Sequence, residues 1–242
     1  MAQAGQEKDL LTKIGEVSVQ VLGILSLLLV IVWSVHFRGG LAWSIENKGL
    51  IFNWHPILMV TAFVFLASEG VLAYRLFPGT HQLKKAIHLT VQLVALIIAA
   101  VGITAAFRFH NESKPPIDNL YSLHSWFGVT TYSLFALQWL GGCYTFWYPG
   151  AAPPTRSWFL PYHASLGIFI YILALTTASQ GILEKLTFLQ SGGAIGRRST
   201  ETILANCLGL VIFALGGVVL ALAPRPKPRG PDPDLPEYRP LE

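Results

Sequence analysis

Apolar residues in this chain fall into six long blocks, approximately 17–35, 54–74, 86–107, 122–148, 158–183 and 202–223. Each block is continuous rather than alternating. The pattern therefore predicts helices; transmembrane barrel strands would show segments of about ten alternating residues. A helix needs about 20 apolar residues to span a bilayer, since about 1.5 Å of rise per residue must cross about 30 Å of hydrocarbon. Glu69 is the only Asp, Glu, Lys or Arg within the six blocks. The chain is predicted to be an all-α integral membrane protein with six transmembrane helices. The domains expected are an N-terminal head at 1–16, a six-helix transmembrane domain at 17–223 and a tail at 224–242.

Composition agrees with this reading. Hydrophobic residues make up 52% of the 242 and charged residues only 12%, against about 25% charged in a soluble domain. Seventeen Lys and Arg and thirteen Asp and Glu cannot cover the water-facing surface of a folded protein this size. Soluble enzyme, nucleic-acid binder and disordered chain are excluded together; no nucleic-acid partner is expected. The first block follows a mixed-charge head (Glu7, Lys8, Asp9, Lys13, Glu16), is too long for a signal-peptide core and is followed by no small-residue cleavage site. Six spans put both termini on one side. With the termini cytoplasmic, inner segments hold ten Lys/Arg and outer loops seven. The loop Arg75 to Lys85 has three basic residues and no acid, so cytoplasmic termini are expected.

The tail from Pro224 has seven prolines in nineteen residues and should be extended and solvated. Cys143 and Cys207 are placed near opposite faces, too far apart for a disulfide. The Asn111-Glu112-Ser113 sequon sits close to a helix end, and glycosylation is not expected there. No sorting signal selects the membrane; a vacuolar or other endomembrane is expected ahead of the plasma membrane.

Histidine is the polar residue to follow. Of seven, His55, His88, His124 and His163 stand in the first turns of helices 2, 3, 4 and 5, at spacings of 33, 36 and 39 residues. Chain direction alternates, so His55 and His124 share a level near the outer face, and His88 and His163 share one near the inner face. An imidazole in hydrocarbon is costly unless its nitrogens are satisfied, and intramembrane polar residues usually have a function. One such histidine could simply bond a neighbour near the headgroups; four paired by depth argue for ligands. Two nitrogens facing each other suit axial coordination of a planar tetrapyrrole, whereas zinc wants four ligands at one point. Helices 2–5 are thus expected to form a four-helix dihaem core, with haem levels about 20 Å apart by helix rise. Six-coordinate iron leaves no open position, so electron transfer is the expected task.

Five segments also carry a resemblance: FNWHPILMV around His55, LKKAIHLT around His88, YSLHSW around His124, PYH at His163, and GILEK at 181–185. In this order they resemble the cytochrome b561 family, over roughly residues 17–223, and most closely its plant members. The resemblance implies an ascorbate-dependent transmembrane oxidoreductase with two non-covalent haem b groups, usually a homodimer. It implies electron transfer from cytoplasmic ascorbate to monodehydroascorbate or a ferric chelate on the other side.

Substrate sites follow from charge and from the resemblance. Ascorbate is a monoanion, so cations near the inner haem are candidates: Lys84 and Lys85 within a turn of His88, Arg156 seven residues before His163, and Arg75 at the end of helix 2. Each also fits a headgroup anchor. The resemblance assigns Lys85 and Arg156 to ascorbate. His81 stands where close relatives carry Lys, and histidine is only partly charged at neutral pH, which predicts weaker or more pH-dependent ascorbate binding. On the outer side His110, with Phe109, should overhang the outer haem; the resemblance makes it the outer substrate residue, with Asn119 and Tyr121 as companions. Glu69 fits either a haem-tuning or proton-relay group or a bonded interior residue. Trp126 and Trp139 are candidates to pack on a porphyrin, and His36 is an interfacial residue. The rival reading is a metal or proton transporter using intramembrane histidines, but half-helices interrupted by Gly or Pro are nearly absent.

Overall fold

The computed structural model describes residues 2–44 and 46–223, with side chains from residue 10 onward. The predicted tail 224–242 lies outside the described residues. Within them the chain forms six helical rods and no strand. Rod α1, residues 2–37, is α-helical over Ala2–Val32 and π-helical over Trp33–Phe37. Rod α2, residues 48–76, has short α segments on either side of a π-helical stretch, Val60–Leu66. Rod α3 is His81–Glu112; α4, residues 123–147, joins Leu123–Gly142 to π-helical Cys143–Trp147. Rod α5 is Pro153–Ser191 and α6 is Thr200–Leu222.

Hydroxyl caps set the starts of three rods. Thr80, Ser122 and Ser199 each accept a hydrogen bond from the amide three residues on, at Leu83, Ser125 and Thr202. Ser122 and Ser125 form a reciprocal capping box that brackets His124. Pro153 and Pro154 open α5, where a missing N–H costs nothing. The rods extend beyond the predicted blocks: α1 starts at Ala2 instead of 17, so the described part of the head is helical, and α5 continues to Ser191 instead of 183.

Five helical stretches are long and apolar enough to cross a membrane: Leu10–Phe37, Lys48–Val71, His81–Glu112, Pro153–Ser191 and Thr200–Leu222. The fourth rod, expected as a sixth span, is not among them, because it carries Ser125, Thr130, Thr131, Ser133 and Gln138. Several of these are bonded inside the bundle. Thr131 lies 3.3 Å from the Thr177 hydroxyl, and Gln138 donates to the His163 carbonyl.

Two apolar clusters organise the interior. Ala62 and Phe63 of α2, Ala95 and Ala99 of α3, Phe135 of α4, and Ile170 and Ala174 of α5 meet at mid-height. A larger cluster packs α1 and α6 on α2 and α5 through Val30, Trp33, Val64, Tyr171, Leu208, Ile212 and Leu215. Large apolar side chains also cover the outside, Leu210 at 70% exposure and Phe213 at 59% among them, as a lipid-facing surface requires. Glu69 is buried and accepts from Gln20 Nε2 at 2.8 Å, which joins α2 to α1. This is the bonded-interior reading of that residue.

At the far ends of α1 and α6, buried Glu201 accepts from Trp33 Nε1 at 2.8 Å and from the Arg38 guanidinium. Breaking a buried ion pair from one side leaves an uncompensated charge. Glu201→Gln is expected to destabilise the fold by about 3 kcal/mol, at the low end for buried pairs because Arg38 stays partly open. Thermal unfolding in detergent measures it, and an unchanged Tm would show the pair to be dispensable.

Candidate haem-binding sites

The four predicted histidines come together as two pairs. His55 of α2 faces His124 of α4 with ring centroids 6.1 Å apart and an interplanar angle of 84°. His88 of α3 faces His163 of α5 at 6.2 Å and 73°. An axial nitrogen lies about 2.0–2.1 Å from a bound metal, and each ring centre lies about 1.1 Å behind its nitrogen. Two imidazoles on opposite sides of one iron therefore have centres roughly 6.3 Å apart, close to both spacings.

Backbone carbonyls fix the ring orientation. Nδ1 of His55 bonds the Gly102 carbonyl at 2.9 Å, Nδ1 of His124 the Thr177 carbonyl at 3.0 Å, and Nδ1 of His88 the Gly70 carbonyl at 2.7 Å. With the proton on Nδ1, Nε2 keeps its lone pair for a metal. His163 Nδ1 is buried without a partner among the described residues. Each pair is also cradled by a glycine. A Cβ on Gly181 would meet His124 Cε1 at 2.8 Å, and one on Gly142 would meet His163 Cε1 at 2.7 Å. Side chains there would push the imidazoles aside. The residues present fit a bis-histidine haem at each level.

Helix register sets the separation. His88 bonds Gly70 of α2, fifteen residues along that rod from His55, or roughly 20 Å by helix rise. The mid-height apolar cluster lies between the pairs. Among the described residues no three His, Cys, Asp or Glu gather to hold a metal ion.

The outer pair opens into a cavity of about 500 Å3, lined also by Phe109, His110, Asn119 and Tyr121, within the usual range for ligand sites. His110 stacks on Tyr121 with centroids 6.3 Å apart. Asn119 Nδ2 donates to the exposed sequon residue Asn111 at 2.7 Å. Arg108 and Lys48 both bond Glu112, which ties the end of α3 to the start of α2 and holds His110 over the opening. Partial burial, and then the negative charge of Glu184, push the Tyr121 phenol above its ordinary range. It therefore remains a hydrogen-bond donor at neutral pH.

At the inner pair, His81 and Lys84 gather on Tyr74. The Tyr74 ring lies 5.3 Å from His81 and 6.1 Å from His88, and Lys84 Nζ donates to the Tyr74 carbonyl at 3.1 Å. Lys85 is half-buried three residues before His88. Arg156 donates through Nε to the Ala151 carbonyl at 2.6 Å, which anchors the loop before α5. The Arg75 guanidinium lies 4.0 Å from Glu16 of α1. Trp126 is 61% exposed, and Trp139 donates to the Leu89 carbonyl at 3.0 Å. His36 is exposed, as expected of an interfacial residue, and both cysteines are free thiols.

Sequence reasoning missed Tyr74, although it adjoins Arg75, and it missed Phe52, whose ring lies 5.7 Å from His55 and 5.0 Å from Phe109. It also missed the two cradle glycines, which no local pattern marks.

Comparison with known proteins places these features in a family. Residues 54–189 match the model of eukaryotic cytochrome b561, a range that holds all four paired histidines. The chain is 50% identical over 202 residues to transmembrane ascorbate ferrireductase 2 of Arabidopsis thaliana, covering 84% of this chain and 87% of the relative. It is 48% identical over 206 residues to probable ascorbate-specific transmembrane electron transporter 2 of Oryza sativa subsp. japonica, covering 85% and 86%. It is 47% identical over 221 residues to ascorbate-specific transmembrane electron transporter 1 of Zea mays, covering 89% and 92%. With paired intramembrane histidines, an all-helical fold and these relatives, the chain belongs to the eukaryotic cytochrome b561 family.

Proposed function

We propose that this protein carries electrons across a membrane from cytoplasmic ascorbate to monodehydroascorbate or a ferric chelate on the opposite side. The observation that carries the reading is the pair of imidazole pairs, 6.1 and 6.2 Å between ring centres, at two levels of one bundle. His55 and His124 would hold an outer haem b, and His88 and His163 an inner one. Iron between two imidazoles supplies one-electron redox chemistry and leaves no open coordination position. The plant relatives' names, transmembrane ascorbate ferrireductase and ascorbate-specific transmembrane electron transporter, support ascorbate as the donor.

The surrounding residues receive substrates at each end. On the inner side Lys84, Lys85 and Arg156 present positive charge to the ascorbate monoanion beside His81, and Arg75 adds to the inner-face charge while facing Glu16. On the outer side His110, Tyr121, Asn119 and Phe109 frame the mouth of the cavity for the acceptor. The relay runs from inner pair to outer pair across the apolar mid-section. All six rods cross the bilayer with both termini cytoplasmic, and two copies form a homodimer in a vacuolar or other endomembrane.

The purified protein's visible spectrum tests the cofactor assignment. Two haems per chain, both reduced by ascorbate, are expected; a folded, colourless protein would overturn it. For the donor site, a charge-assisted hydrogen bond contributes about 1.5–3 kcal/mol. Lys85→Ala should therefore raise the ascorbate KM at least tenfold and leave haem content intact, as read from the rate of haem reduction. An unchanged KM would remove Lys85 from the site.

A further inference from the structure

The outer cavity holds two cations that the electron-transfer reading does not use. Lys185 of α5 lies half-buried in its lining, with Nζ 4.4 Å from the Phe52 ring centre, and no hydrogen-bond acceptor among the described residues holds it. Arg38, at the end of α1, lines the same cavity. Its outer guanidinium nitrogen is held by Glu201, yet its Nε is buried with no partner among the described residues. Asn53 clamps the segment that carries Arg38 by donating to the carbonyls of Arg38 and Gly40 at 2.9 and 2.8 Å. Lys185 interacts electrostatically with both Arg38 and Glu201, so the three charges form one group. One carboxylate among two cations leaves an excess positive charge. Glu201 stands behind the cavity wall, and the acid that lines it, Glu184, acts on Tyr121 at the mouth.

A half-buried ammonium and an orphaned guanidinium N–H both call for an anion, since unpaired charge in a low-dielectric wall is costly. Two chemical sources of a carboxylate reach this cavity: the side chains of the tetrapyrrole, and an anionic acceptor. Phe52 bridges Lys185 to the axial His55, at 4.4 and 5.7 Å, whereas His110, Asn119 and Tyr121 mark the mouth from the loop side. Both cations are rooted in rods and half-buried, which suits a resident carboxylate better than an exchanging one.

The geometry points to a carboxylate site formed by the Lys185 ammonium and the Arg38 Nε edge, which takes a propionate of the haem held by His55 and His124. This rests on the haem assignment above. A cation beside the propionate favours the reduced iron, so it raises the outer haem's potential relative to the inner one and draws electrons outward.

Redox titration of the two resolved haem signals tests it, in the full-length wild type and in Lys185→Met, Lys185→Arg and Arg38→Lys. In Lys185→Met the outer haem's one-electron equilibrium should shift about tenfold toward the ferric form, 59 mV in potential. The potential should also become pH-dependent near neutrality, as the unpaired propionate takes up a proton on reduction. The inner haem should stay unchanged. Lys185→Arg should restore both the potential and the flat pH profile. If Lys185→Met does not fold, Arg38→Lys, which keeps a cation for Glu201 and deletes Nε, should show the same shift at smaller size. An unaltered outer potential with a raised KM for the anionic acceptor would assign the cations to an exchanging substrate and overturn the proposal, as would no change in either. A wild type lacking an outer haem would overturn both readings, whereas an outer haem indifferent to Lys185 and Arg38 would overturn this one alone.

Discussion

His163→Ala is expected to give a protein with one haem per chain that cytoplasmic ascorbate no longer reduces. His163 contributes one of two nitrogens at the inner level, 6.2 Å from His88 between ring centres. Deleting a group that merely orients a ligand costs about 10–100-fold in metal affinity, and deleting the ligand itself costs more. The fold should survive, because the interior is held by the mid-height cluster and by the packing of α1 and α6 on α2 and α5. Absorbance, haem extraction and reduction kinetics read the outcome together. The outer haem should remain and stay reducible by a strong chemical reductant. Ascorbate reduction at the normal rate from the inner side would show that His163 is not an inner ligand.

The two cradle glycines predict a sharper separation. Gly142 and Gly181 each stand opposite a histidine ring, where a Cβ would fall 2.7 and 2.8 Å from Cε1 of His163 and His124. Contacts that short force the ring off its axis, and overpacking of this kind costs about 1–3 kcal/mol even where the surroundings yield. Gly142→Val should lose or distort the inner haem and spare the outer one; Gly181→Val should do the reverse. Each substitution is remote in sequence from the histidine it affects. The selective loss of one of two spectral components therefore measures the three-dimensional pairing itself. If both components fell together, the glycines would be general packing positions rather than cradles.

Much of this architecture could be read from the chain because one solvent constraint and one residue type carry it. Hydrocarbon demands long apolar helices, and the near-absence of charge between residues 17 and 223 outside the connections gives their positions. Alternating direction then pairs His55 with His124 and His88 with His163, as found. Other features depend on contacts between distant segments. Arg75 ends α2 among the inner cations, and only the packing of α1 beside α2 brings Glu16 to it. Trp33, Arg38, Lys185 and Glu201 meet from three rods with no periodicity to announce them. Glu69 appears isolated along its span until α1 supplies Gln20. The fourth rod falls short in hydropathy because it carries polar side chains, two of which, Thr131 and Gln138, bond inside the bundle. The apolar pattern reports solvent; it does not report which polar groups neighbouring helices satisfy.

The central claim is vectorial transfer through two histidine pairs, and sealed vesicles test it most directly. Protein is reconstituted with its cytoplasmic face inward around trapped ascorbate, and a membrane-impermeant ferric chelate is added outside. Ferrous iron should appear outside at a rate that depends on internal ascorbate, and the rate should fall to the protein-free level in both His55→Ala and His163→Ala. External iron reduction that persisted in those variants, or that was absent from a wild type loaded with two haems, would contradict the account.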